Sequence, residues 1–84
     1  MSFFVYILKS EADGSYYVGS TQDLPERLKR HNQGRSKATK AMRPWRLVYS
    51  EAYPDRPGAV NREYQIKRRK SRKYIDSLVR ASRR

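Results

Sequence analysis

Eighty-four residues without a cysteine suit one small domain and exclude disulfides, a thiolate metal site and a cysteine nucleophile. Twenty Lys and Arg against eight Asp and Glu leave a net charge of +12, which points to a polyanionic partner, since each neutralised phosphate releases counterions. The longest apolar run, residues 3–8, is too short to span a bilayer, no leader-like segment precedes it, and no helical stretch offers a broad Leu/Phe/Trp face for a lipid surface; the expectation is a cytoplasmic protein that avoids membranes.

In chain order, "FFVYILK" (3–9) is apolar on both alternating sets, Phe3/Val5/Ile7 and Phe4/Tyr6/Leu8, and predicts a central strand covered on both sides. Asp13-Gly14 signals a hairpin, and "YYVGS" (16–20) is the return strand. A two-residue turn would pair Ser10 with Tyr17, placing Tyr17 on the sheet face of Tyr6 but roughly 13 Å away; a longer loop with an even register shift would bring the two closer. Thr21 and Asp23 compete to cap a helix that contains Pro25 in its first turn and ends at Gly34. "SKATKAMRP" (36–44) reads as a basic loop and "WRLVYSEAY" (45–53) as a third strand. "PDRPG" breaks the chain before a helix from about Pro57 to Arg69; "KRRKSRK" (67–73) carries six positive charges in seven residues. A last helical turn or two covers 74–79, ahead of a basic tail, 80–84, expected to fray. The order β-β-α-β-α-α gives an α+β fold, a small three-stranded, mostly antiparallel sheet flanked by helices, with residues 1–84 forming a single domain.

Two helices carry polar groups on their apolar side. Advancing about 100° per residue from Leu24, Leu28 falls near 40°, His31 near −20° and Arg27 near −60°, while Glu26, Lys29 and Arg30 point elsewhere. On the second helix, with Ala59 at zero, Ile66 falls near −20° and Glu63 near 40°, so Glu63 stands inside the apolar stripe. A desolvated carboxylate must be paired, protonated or bound to a cation. Lys67, one turn on, could supply the pairing. Tyr6 and Tyr17 could equally be core tyrosines, and His31 a structural histidine. Together, however, two tyrosines on one sheet face, an inward Arg/His pair and an inward glutamate in a basic domain suit phosphodiester hydrolysis. A carboxylate can hold Mg²⁺, an arginine can neutralise the pentacovalent phosphate, and a tyrosine can take the proton of the attacking water.

"VYI" (5–7) followed by "YVG" (17–19), then "RLKRH" (27–31), "RPWRLVY" (43–49) and "NREYQIK" (61–67), resembles the GIY-YIG nuclease superfamily, in particular its small stand-alone bacterial members. The resemblance implies an Mg²⁺- or Mn²⁺-dependent endonuclease acting on DNA, with RNA as a second candidate substrate, by a one-metal mechanism. It implies that Tyr6 and Tyr17 supply the general base, without saying which. Arg27 would contact the scissile phosphate, His31 would assist, Glu63 would bind the metal, and Gly19 would allow close backbone approach. Two departures stand out: Val5 replaces the glycine of the first tripeptide, and Ser20 stands where the family's excision-repair nuclease has a lysine assisting its base. Lys37, Lys40 and Arg43 in the loop, with Lys67, Arg68, Arg69, Lys70, Arg72 and Lys73, are expected to follow the nucleic-acid backbone. Trp45 is expected in the core. A monomer is expected, with a protein partner choosing the target. The rival expectations are a catalytically weak nucleic-acid-binding module and a basic protein accessory to ribosomal RNA.

Overall fold

A computed structural model of the chain describes residues 2–82. Strand β1 (Phe3–Ser10) lies between β2 (Tyr16–Thr21) and β3 (Trp45–Tyr53) in an antiparallel sheet of order β2-β1-β3. Helix α1 (Leu24–Asn32) follows β2, and α2 (Arg56–Arg69) and α3 (Arg72–Ala81) follow β3. The architecture is α+β in the order β-β-α-β-α-α. The central place of β1 explains why both of its alternating sets are apolar. Val5 and Ile7 join Val18, Ala59 and Ile66 in a core under α2 and α3, while Tyr6 and Leu8 join Trp45 in a second cluster against Leu24 and Leu28 of α1.

The hairpin differs from a two-residue turn. Leu8 opposes Tyr17 and Lys9 opposes Tyr16, a register two residues away from the Ser10–Tyr17 pairing. The longer loop is held by Ser10, buried, whose hydroxyl accepts from the amides of Ala12 and Asp13 at 3.1 and 3.2 Å and donates to Met42 O at 2.7 Å. Gly14 takes the left-handed conformation, φ +77°, that such a loop needs. The even shift keeps Tyr17 on the face of Tyr6 and brings their ring centroids to 6.3 Å.

Between β1 and β3 the register slips at Ile7/Leu8: Ile7 opposes Tyr49 but Leu8 opposes Leu47. This bulge at Val48 lets Trp45 face the α1 side while Tyr49 faces the α2 side, which unbroken alternation would forbid. Asp23 caps α1, its carboxylate accepting from the amide of Glu26 at 3.1 Å, and Asp55 caps α2 through the amide of Gly58 at 2.8 Å. Lys70, at φ 47°, ends α2, and Ser71 caps α3. The basic run 67–73 is therefore split across two helices. Of the tail expected to fray, Arg80 and Ala81 close α3 and Ser82 follows as its cap; Arg83 and Arg84 lie outside the described residues.

Candidate active site

The α1 face of the sheet holds a buried polar cluster. Tyr6 is 1% exposed and its hydroxyl lies 3.0 Å from Nε2 of His31, itself 3% exposed. The other ring nitrogen of His31 lies 2.8 Å from Oγ1 of Thr39, which is fully buried. Trp45 closes the cluster, donating its indole N–H to Thr39 O at 2.9 Å. Asn32 at the end of α1 grips the Trp45 backbone twice, accepting from its amide at 2.6 Å and donating to its carbonyl at 3.1 Å. Tyr17 stacks beside His31 with centroids 4.9 Å apart and meets Trp45 edge-on at 6.3 Å. Among the described residues, no buried side-chain nitrogen or oxygen lacks a partner.

Gly19 is opposite Tyr6 in the β1–β2 ladder, and a Cβ there would stand 2.5 Å from the Tyr6 hydroxyl oxygen and 2.7 Å from Cζ. The tyrosine ring lies across the strand at the one position without a side chain. Val5, in place of a motif glycine, points the other way into the α2 core and leaves this approach untouched.

Arg27, one turn before His31 on α1, is near enough to act on the Tyr6 phenol electrostatically. Burial pushes the Tyr6 phenol up to about 12; the Arg27 guanidinium works against that rise, while Tyr17 and the Glu63 carboxylate add to it. His31 titrates below the usual 6.5, first because it is buried and then because Arg27 and Arg30 repel a second positive charge, so its ring is neutral at pH 7.

Glu63 sits half-buried on α2, where Lys67 donates to it at 2.6 Å in an i,i+4 pair, and the same ammonium lies 5.9 Å from the Tyr17 ring centroid. Thus Tyr6, Tyr17, Arg27, His31 and Glu63, drawn from β1, β2, α1 and α2, occupy one neighbourhood. Of these five, Arg27 also lines a cleft of about 230 Å³ between α1 and the start of α2, together with Arg30, Arg56, Ser20, Asp23 and Glu26. The phase that turned Arg30 away is corrected here: on so short a helix its long side chain reaches the same cleft as Arg27.

The other basic residues do not form one track. Arg72 turns to the hairpin, donating to Gly14 O at 3.0 Å and stacking 4.9 Å from the Tyr16 centroid, whereas Arg68 and Arg69 line a cavity beside Tyr74. Lys37, Lys40, Arg43, Lys70 and Lys73 are exposed. Sequence reasoning missed Thr39 and Asn32, which orient His31 and Trp45. A threonine in a basic loop has no periodicity to betray its burial.

These features define a class. The chain belongs to the GIY-YIG catalytic domain family, whose model matches residues 2–75. It is thereby a member of a nuclease family, and GIY-YIG nucleases act on nucleic acids. Within that class it is similar to the UPF0213 proteins, small stand-alone bacterial proteins. Those of Staphylococcus aureus strains N315 and Mu50 are each 48% identical to it over 67 residues, 79% of this chain and 80% of theirs. The solution NMR structure of the UPF0213 protein BH0048 from Bacillus halodurans shares the fold at a TM-score of 0.60 and 39% identity, covering 96% of this chain and 85% of that one.

Proposed function

We propose that this chain is a divalent-metal-dependent endonuclease that hydrolyses phosphodiester bonds in DNA, with RNA as the second substrate to test. It would work as a cytoplasmic monomer whose target is chosen with a protein partner. The observation that carries the reading is the buried Tyr6 hydroxyl, bonded to His31 over the bare backbone of Gly19, with Arg27 acting on it from the wall of an arginine-lined cleft.

The donor chemistry fits Mg²⁺ or Mn²⁺. Among the described residues no three His, Cys, Asp or Glu gather into a cage, so Glu63 would be the protein's own ligand. One hard carboxylate is what Mg²⁺ takes when waters and substrate oxygens complete its shell, and Mn²⁺ shares the preference. When bound, the cation would supply Lewis acidity toward the phosphate and leaving-group oxygens. Lys67 neutralises Glu63 in its absence.

Arg27 would hold a nonbridging phosphate oxygen and gain strength as charge builds there. A phenol with a pKa near 12 is a poor base alone. With a neutral imidazole 3.0 Å away it becomes half of a relay. Tyr6 passes its proton to Nε2 of His31 as it accepts one from the attacking water, and Arg27 offsets phenolate character in between. In the tautomer this requires, Nδ1–H donates to Thr39, which fixes the ring. Tyr17 packs on that ring and shields it. This choice makes Tyr6 rather than Tyr17 the general base.

The test is single-turnover cleavage of a panel of labelled DNA and RNA structures in Mg²⁺, Mn²⁺ or EDTA. Cleavage is expected only with metal, and Glu63→Gln should lower the rate at least about 100-fold while binding stays within about threefold. Cleavage in EDTA, or more than a few per cent activity in Glu63→Gln, overturns the assignment. Binding without cleavage on every substrate would favour the weak binding module.

A further inference from the structure

We propose that the flank of α2 facing β3 is a second phosphodiester-binding site, lined by Arg62, Gln65, Arg68, Arg69 and Tyr74, which holds a nucleic-acid segment separate from the one entering the catalytic cleft. The proposal rests on the nucleic-acid-binding half of the reading above and is independent of cleavage.

The two flanks of α2 look over opposite edges of the sheet. Glu63 and Lys67 approach Tyr17 on β2, whereas Arg62 reaches Glu51 on β3, donating from Nε at 3.0 Å. With Glu63 at zero, Lys67 lies near 40°, Arg62 near −100°, Arg69 near −120° and Gln65 near −160°. Since β1 separates β2 from β3, the two edges are roughly 10 Å apart before the side chains spread further. A strand seated on Arg27 and Glu63 does not run through the β3 flank.

That flank is built to take an anion. Its cavity, about 420 Å³, is larger than the catalytic cleft; of the three arginines that line it, Arg62 is paired to Glu51, which leaves Arg68 and Arg69 as the guanidiniums that face an anion. The acid nearby, Glu51, is already engaged: Tyr49 and Tyr53 donate to it besides Arg62, and these bonds hold its pKa below the usual carboxylate value despite burial. Arg69 stacks 4.1 Å from the Tyr74 centroid, Arg62 lies 6.0 Å from the same ring, and Arg68 lies 5.6 Å from that of Tyr64. Stacking fixes the plane of the Arg69 guanidinium and leaves its N–H edge to grip a phosphate by two bonds, whereas Arg62 already spends Nε and Nη2 on Glu51 and Nη1 on Gln65 and frames the site without offering a donor edge. The helix dipole favours positive charge in the last turn of α2, where Arg68 and Arg69 lie. It does not explain why Arg62, two turns earlier, and Tyr74 of α3 converge with them on one cavity. The left-handed turn at Lys70 makes that convergence possible by breaking the line of α2 before α3 begins, so that Tyr74 meets Arg62 and Arg69.

The experiment measures energy transfer between two differently labelled short duplexes on adding the full chain in EDTA, with complex mass read by sedimentation. Wild type is expected to seat both duplexes on one chain. Arg68→Gln/Arg69→Gln should weaken uptake of the second duplex at least about tenfold and that of the first less than about threefold. Lys29→Gln/Arg35→Gln, which removes equal charge elsewhere, should leave both unchanged. Three results overturn the proposal: saturation at one duplex per chain, equal losses in the two double variants, or bridging that requires two protein chains. Failure to bind any duplex would overturn the nucleic-acid reading with it, whereas two-duplex binding by a chain that never cleaves would overturn only the catalytic one.

Discussion

Val5 and Ile7 on one side of β1 and Tyr6 on the other are equally buried, yet they meet different surroundings. Below the sheet the neighbours are Val18, Ala59 and Ile66, ringed by Ile75, Leu78 and aromatic side chains from β3 and α3. Above it, a helix of nine residues covers a tyrosine, a histidine, a threonine and a tryptophan joined by hydrogen bonds. Apolar groups of similar volume would give at least as much stability, because a buried polar network must first repay its desolvation. The lower face thus accounts for the fold holding together. The upper face asks for another reason, and chemistry at a phosphate supplies one.

The sharpest contrast on the upper face is between Arg27 and Arg30, which line one cleft although only Arg27 acts on the Tyr6 phenol. Arg27→Ala should lower the single-turnover rate by about two to three decades with enzyme saturating, the worth of a preorganised donor at a developing oxyanion. Arg30→Ala should weaken binding a few-fold and leave that rate within about threefold, since it acts through a field screened over roughly 8 Å. Equal rate losses would make both merely basic residues.

Matched truncations compare the two faces directly. Thr39→Val keeps the volume but strips Nδ1 of His31 of its partner, which should cost about 1–3 kcal/mol in urea unfolding and about tenfold in rate. Ile7→Val should cost about 0.5–1.5 kcal/mol and leave the rate unchanged. A rate loss from Ile7→Val equal to that from Thr39→Val would erase the distinction between the faces.

The smallest effect is a pH dependence. His31 titrates below its unfolded value of 6.5, so between the two values the unfolded chain binds more protons. The stability that comes from keeping His31 neutral is therefore fully present above 6.5 and is lost as the pH falls toward the folded value. Unfolding free energies should decline from pH 7 to pH 5.5 in the wild type and stay level across that range in His31→Gln. A parallel decline in both would assign the dependence elsewhere.

Much of this was legible in the sequence because periodicity reports burial. The double-sided pattern of 3–9 announced a central strand, and helical phase turned His31 inward and set Glu63 beside Lys67. What escaped has no periodic signature. The hairpin register depended on Ser10 folding its hydroxyl back over the loop, and the facing of Trp45 depended on a bulge at Val48. Thr39 gave no sign of being fully buried in a stretch that reads as polar and basic. The basic run looked continuous along the chain, but one left-handed residue, Lys70, sends Arg69 and Arg72 to different surfaces.

Everything proposed for the upper face converges on one oxygen atom, so Tyr6→Phe is the most direct measurement. The substitution keeps the ring, its volume and its fit across Gly19, and removes only the hydroxyl bonded to His31. Single-turnover cleavage should fall at least about 100-fold, the contribution of a positioned general base, with nucleic-acid affinity little changed and a stability loss of about 1–3 kcal/mol, as for Thr39→Val, because Nε2 of His31 loses its buried partner. A Tyr6→Phe variant that cleaves at the wild-type rate would show that the buried tyrosine serves the fold alone.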